Sequence, residues 1–214
     1  MKKFESIYED NLELYIHKNL TNRPDILFDE LEELALNMRV PILSPATGEV
    51  LKYIIEKERP SKVLELGTGI GYSILWMLSS RVSVSIESWE RNPVCIATAE
   101  NYIKKYISNN QNINLKNLHI LDECRKRDSF KEFDLIFIDC DKICYPELIE
   151  TIPFKMKKDS LILIDNVLWH GRIISDIHNK PSDKAIQKLW EIVRDKHKNR
   201  TFFPVGDGLL LIKI

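Results

Sequence analysis

The stretch KVLELGTGIGYS, residues 62–73, carries an apolar strand into a glycine turn and then a helix. Val63, Leu64 and Leu66 give the continuous apolar run of a strand covered on both faces. Gly67, Gly69 and Gly71 permit a tight turn and a close backbone approach to a ligand. A helix opening at such a turn offers free N–H groups and the positive end of its dipole, a place for a carboxylate or phosphate. Glu65 lies inside the strand, where an acid has little structural reason to be. Two later apolar segments also end in acids, DLIFID at 134–139 and LILIDN at 161–166. In an open α/β sheet ligands bind beyond the carboxyl ends of the strands, so three such ends at one edge define a site.

Outward from this core, strands and helices alternate from residue 61 onward. The patterning predicts strands at 62–67, 82–88, 117–121, 133–139 and 160–165, with helices near 71–80, 92–108, 144–151 and 183–197. Such alternation makes a parallel sheet with helices on both faces. Residues 201–214, with Gly206-Asp207-Gly208 as the turn, read as a β-hairpin. Asn109 to Asn114 reads as a short polar loop. Residues 4 to 58 are helical in pattern. Leu12, Tyr15, Ile16 and Leu20 keep helix spacing, Thr21 to Pro24 breaks it, and Leu27, Leu31, Leu34 and Met38 resume it before Pro41. A third helix opens at Pro45 and Thr47, with Val50, Leu51, Ile54 and Ile55 as its buried stripe. The expectation is one domain, 1–214, with a helical cap (1–58) on an α/β core (61–214).

With 214 residues, 44% of them apolar, the chain can bury one full core. A formal net charge of −1 gives no compositional argument for nucleic-acid or membrane binding. Cys95, Cys124, Cys140 and Cys144 form no C-x-x-C pair and read as reduced, mostly structural thiols of a cytosolic protein. The histidines show no H-E-x-x-H and no zinc spacing. Met1-Lys2-Lys3 leads into no apolar signal segment, and no apolar run approaches the ~20 residues needed to span a bilayer. A soluble, cytoplasmic protein is expected.

The turn is G-x-G-x-G rather than the G-x-G-x-x-G of dinucleotide-binding proteins. An acid at the end of the next strand can take both ribose hydroxyls; Glu90 is the candidate and Glu87 its alternative. Either NAD or S-adenosylmethionine (SAM) fits so far. Glu65 favours SAM, because a carboxylate there can pair with a ligand ammonium that NAD lacks. The competing reading is a glycine turn kept only for strand–helix packing. At the other strand ends, Asp139, Asp165 and Asn166 are hard oxygen donors suited to Mg²⁺; singly, each would be a helix or turn cap. Lys142 opens onto the same crevice and, near a cation and partly desolvated, could take a proton from a hydroxyl. Asp141 beside it opposes that, and a solvated lysine is the plain alternative. Tyr145, Trp169 and His170 are candidate walls for a flat substrate, or packing.

At LELGTGIGYS, ERNP (90–93), DLIFIDCDK (134–142), LILIDNVLWHG (161–171) and PVGDGL (204–209), the chain resembles the metal-dependent O-methyltransferases of the catechol and caffeoyl-CoA type. These belong to the class I SAM-dependent methyltransferases. The pieces stand in family order and cover the chain from about residue 40. The resemblance implies a Rossmann-like, mostly parallel seven-stranded sheet with a C-terminal antiparallel hairpin. It implies Asp139, Asp165 and Asn166 on the metal and Lys142 as base, with Asp139 beside it. It places Glu65, Gly67, Thr68, Gly71, Tyr72, Ser73, Glu90, Asp122 and Asp139 around SAM, with Gly67 and Ser73 near the methionine end and Glu90 on the ribose. The family's adenine-side Gly-Asp-Ala-like segment is replaced by Leu121-Asp122-Glu123-Cys124, so Asp122 is the contact favoured and Glu123 the alternative. The N-terminal third, with YEDNLELYIHKNL, RPD at 23–25 and ELALNMRVPIL at 33–43, is similar to the bacterial tRNA 5-hydroxyuridine methyltransferases. That subgroup's arginine run before the last helix is replaced by Pro181-Ser182-Asp183-Lys184. Lys180, Lys184, Lys188, Arg194, Lys196, Lys198 and Arg200 form either a basic face or an ordinary solvated one. The resemblance therefore implies a SAM- and Mg²⁺-dependent O-methyltransferase, commonly a homodimer. Its favoured acceptor is 5-hydroxyuridine in tRNA, and a catechol-type small molecule is the alternative. An NAD-linked oxidoreductase and a non-catalytic SAM- or RNA-binding module are the readings from other classes.

Overall fold

A computed structural model of the chain describes residues 12–107, 112–174 and 180–214. At its centre is β1 (Lys62–Leu66), whose apolar run is covered on both faces as expected. It pairs in parallel with β2 (Ser85–Glu90) on one side and β4 (Leu135–Ile138) on the other. Beyond them lie β3 (Ile113–Asn117) and β5 (Leu161–Ile164), also parallel. The antiparallel pair β7 (Leu209–Lys213) and β6 (Arg200–Phe203) completes seven strands in the order β3-β2-β1-β4-β5-β7-β6. The chain reverses direction across the sheet between β1 and β4, which opens a crevice at their carboxyl ends.

Register brings the functional ends level. Leu66 faces Trp89 on one side and Ile138 on the other, and Ile138 faces Ile164. The residues that follow these positions therefore meet at one edge of the sheet.

Each face of the sheet has its own helical layer. On one lie α2 (Ile26–Met38), α3 (Pro45–Glu58), α4 (Tyr72–Ser79) and α5 (Pro93–Tyr106). Their starts carry the expected signals. Asp25 accepts from the Leu27 N–H at 2.9 Å, and Ser44 accepts from that of Thr47 at 3.1 Å. Every residue of α4 is buried, which is why it reads as apolar all round. Phe28 of α2 packs edge-on against Tyr72 and Trp76, with centroids 5.8 and 4.9 Å apart, and docks the cap onto α4. The opposite face is covered by α7 (Tyr145–Thr151) and α8 (Pro181–Lys196). A short α1 (Leu12–Tyr15) runs into a π-type turn over Ile16–Leu20.

Two strand assignments move. The second strand is 85–90, not 82–88, so Val82 and Val84 belong to the buried lead-in. The third is 113–117, and 117–121 is not a strand; Ile120–Lys126 is instead a helix, α6. The pattern misleads because Leu118, Ile120 and Leu121 are apolar for helix packing, whereas the edge strand alternates only Ile113 and Leu115 with polar residues. The predicted helical residues 4–11 and 108 and residues 109–111 of the polar loop lie outside the described residues, and that loop's last two residues, Ile113 and Asn114, begin β3 instead. Among the described residues no helix is long and apolar enough to cross a membrane.

Candidate active site

The glycine turn works by closeness. Gly67 has φ +110°, and a Cβ there would collide with the carbonyl oxygen of Asp139 and lie 2.7 Å from its carbonyl carbon. The first glycine thus lets the ends of β1 and β4 touch. Gly71, with φ +88°, serves packing: a Cβ would lie 3.0 Å from that of Ala99 on α5. At Gly69 the N–H donates to Glu90 Oε2 at 3.1 Å, while the other Glu90 oxygen accepts from the Asn92 N–H at 2.9 Å.

Glu90 lines the crevice. Glu87 is buried elsewhere, accepting from Trp89 Nε1 at 2.8 Å and Lys116 Nζ at 2.9 Å. The two acids are three residues apart and so face opposite sides of the strand. Asp122, on the first turn of α6, also lines the crevice, as do Gly67, Thr68, Tyr72 and Ser73. Tyr72 donates through its hydroxyl to Glu32 of α2 at 2.5 Å, and Glu32 is held by both ends of the Arg23 guanidinium at 2.9 Å. Arg23 is the first residue of the RPD segment.

Glu65 is fully buried, and both its oxygens are occupied. The Ser73 and Ser88 hydroxyls each donate to one of them, and Ser88 in turn pairs with the Thr68 hydroxyl at 2.6 Å. With the Ser88 proton committed to Glu65, Thr68 is the donor in that pair. Burial pushes the Glu65 carboxyl up to about 7, against the lowering effect of the two hydroxyls. Glu65 therefore reaches the crevice through Ser73 and, by way of Ser88, through Thr68.

The corner between β4 and β5 is built differently. Asp165 is 1% exposed, and its Oδ1 has no hydrogen-bond partner among the described residues. Burial and the neighbouring Asp139 push its carboxyl up to about 8. Asp139 accepts from Lys142 Nζ at 2.9 Å and lines the crevice, as does Asn166, which holds a left-handed φ of +56°. Among the described residues no three His, Cys, Asp or Glu side chains cluster as a metal cage. The available set is two carboxylates and one amide oxygen. A buried carboxylate oxygen without a partner, beside a second acid, is the environment a hard cation satisfies.

The crevice encloses about 820 Å³, and a second cavity of about 460 Å³ opens between α2 and the strand ends, lined by Glu32, Asp165, Asn166 and Asp207 among others. Trp169 and His170 line the crevice with their ring centres 5.3 Å apart and the planes tilted by 33°, in left-handed conformations at φ +53° and +54°. Tyr145, read above as a possible wall, is not one: it is 1% exposed and lies beneath Lys142.

Two acids were given no role by the sequence reading. Asp183, buried at the start of α8, takes Trp169 Nε1 at 2.9 Å, Arg172 at 2.7 Å and the Lys180 N–H at 3.1 Å. Burial opposes its charge but is outweighed by these donors, which hold the carboxyl below its ordinary range. Asp207 of the hairpin turn accepts from the His170 N–H at 2.6 Å. Only the PVGDGL motif hinted at Asp207, and nothing in the sequence pointed to Asp183 as the anchor of the Trp169 loop. Along α8, Lys188 pairs with Glu191 at 3.0 Å and Lys196 with Glu150 at 3.0 Å. All four cysteines are free, and burial pushes the Cys124 thiol up to about 12, as suits a packing role.

A seven-stranded α/β sheet of this order, with its crevice over a glycine turn and acidic strand ends, has the Rossmann-like methyltransferase fold. Residues 21–214 match the profile of the family described as O-methyltransferase, and the chain belongs to that family. It is 28% identical over 184 residues to the catechol O-methyltransferase of Niastella koreensis, covering 84% of this chain and 83% of that one. It is 38% identical over 82 residues to a Dictyostelium discoideum protein named probable caffeoyl-CoA O-methyltransferase 1; that match covers 37% of this chain and about a third (36%) of the relative's length. Among solved structures, the O-methyltransferase from Bacillus cereus in complex with SAH superposes with a TM-score of 0.78 at 21% identity, covering 95% of this chain and 97% of that one.

Proposed function

We propose that this enzyme transfers a methyl group from SAM to a hydroxyl that stands beside a second oxygen, with a divalent cation such as Mg²⁺ held by Asp139, Asp165 and Asn166. The observation that carries this reading is the partnerless, buried Oδ1 of Asp165 next to Asp139. A cation bound there would make the acceptor hydroxyl more acidic and orient it through its neighbouring oxygen. The protein's own groups supply the rest. Glu90 holds the ribose, Ser73 and Gly67 hold the methionine end, and Asp122 lies on the adenine side. Lys142, only 8% exposed and opening on the crevice, takes the hydroxyl proton. The acceptor oxygen then attacks the methyl carbon, and the carbon–sulfur bond breaks with its electron pair passing to sulfur. The SAH of the Bacillus cereus complex is the product that such a transfer leaves behind.

Two acceptor classes fit that geometry. The Niastella and Dictyostelium relatives support a catechol-type small molecule. The similarity of residues 8–43 to the tRNA 5-hydroxyuridine enzymes, with exposed Arg39 and Arg91 beside the crevice, supports 5-hydroxyuridine in tRNA. There a hydroxyl stands beside a carbonyl. The test is transfer of labelled methyl from SAM to a catechol panel and to 5-hydroxyuridine-containing tRNA, each with Mg²⁺ or EDTA. Label that appears with Mg²⁺ and vanishes with EDTA supports the reading, and the acceptor that carries it decides between the classes. Label unaffected by EDTA removes the metal, and label in neither acceptor removes both substrates.

A further inference from the structure

We propose that Tyr145 is the positioning residue of this site: its buried hydroxyl aims Lys142 at the acceptor and ties the ends of β4 and β5 together. The inference rests on the reading of Lys142 as the group that takes the acceptor's proton. Lys142 Nζ donates to Tyr145 Oη at 2.8 Å and to Asp139 Oδ1 at 2.9 Å, and it sits 4.9 Å above the centre of the Tyr145 ring. Nζ is tetrahedral, with one position bonded to its own carbon and two others taken by these partners. One position is left, and Lys142 lines the crevice. Through that position a proton is exchanged with the acceptor.

The direction of these bonds is set by the tyrosine's own proton. A phenol has one, and it goes to the Asp165 carbonyl at 3.1 Å, with the Ile138 carbonyl at 3.4 Å as the more distant acceptor. The oxygen's lone pairs are thereby left for Nζ. One hydroxyl thus spans the residue before Asp139 on one strand, the residue Asp165 on the next, and the lysine between them. A tyrosine kept only to fill the core needs one partner, and this one has three.

Tyr145→Phe keeps the ring and its packing but removes the hydroxyl. The expected result, with labelled SAM and whichever acceptor turns over, is a fall in kcat of about 10- to 100-fold. KM for SAM should stay within about twofold, as a change confined to the chemical step requires. On a Lys142→Ala background the same substitution should lower kcat no further. A crystal structure of Tyr145→Phe should show Nζ turned from its crevice-facing position towards Asp139. Unchanged kcat in Tyr145→Phe, with Lys142→Ala strongly impaired, overturns the positioning role and spares the reading of Lys142. An equal drop on both backgrounds, or an unmoved Nζ, shows that Tyr145 acts on the fold and also overturns it. Full activity in Lys142→Ala instead overturns the reading beneath it.

Discussion

Two buried acids stand a few residues from the same crevice, and the protein treats them in opposite ways. Glu65, in the glycine half, has a hydroxyl donor on each oxygen. Asp165, in the strand-end corner, is equally buried but keeps an oxygen with no donor among the described residues and an acid for a neighbour. An unpaired buried carboxylate costs stability, so a fold tolerates one where something outside the chain completes it. The glycine half is finished before any ligand arrives, whereas the corner is not. There Lys142 donates to Asp139 and the Tyr145 hydroxyl to the Asp165 carbonyl, and neither bond reaches Asp165 Oδ1.

The difference can be broken most forcefully at Asp165. Asp165→Ala should cost on the order of 10³-fold in methyl transfer, equivalent to several kcal/mol of lost stabilisation at the reacting oxygen. In EDTA the same variant should melt above the parent in scanning calorimetry, since an uncompensated acid is gone. A lower melting temperature would make Asp165 a structural partner and erase the contrast.

Next in size is Lys142→Ala, expected to lower kcat by about 10²-fold with SAM affinity by calorimetric titration unchanged. A loss of SAM binding would instead place Lys142 in the cofactor half.

The third effect is a pH dependence. Glu65 titrates near about 7 in the folded chain, above its ordinary 4.5, so between those values the native state carries more protons than the unfolded one. Its contribution to stability therefore falls as pH rises through that window and levels off above it. Asp165, near about 8, has the same sign and extends the decline. Glu65→Gln should lessen the decline of urea-denaturation midpoints between about pH 5 and 7, leaving the part that Asp165 contributes there and above. Midpoints with unchanged slope would show that the serines already hold Glu65 ionised. The smallest effect is expected at Asp183→Asn. Loosening the Trp169 loop should raise acceptor KM by less than about tenfold and leave kcat nearly intact.

Much of this was legible in residues 62–73. There the strand, the turn and the helix are continuous in the chain, and the apolar run and glycines report them directly. The choice between Glu87 and Glu90 was not legible, because it depends on where β2 stops. Ending at 90 instead of 88 places one acid in the crevice and the other on Lys116. The shift of β3 had the same source: an edge strand is half solvated and its alternation is weak. Tyr145 was legible only as an aromatic residue near the site. Its burial and its three partners come from two strands and a turn that meet in space.

The sequence by itself determined the strand–turn–helix core, the alternation of strands and helices around it and the acids that end the strands, since these follow from local pattern and spacing. Only the tertiary structure decided which acid is satisfied and which is left open. Hydrogen-bond partners such as Ser88 for Glu65 and Asp183 for Trp169 are brought together by register and packing, and neither is written in the spacing of neighbouring residues.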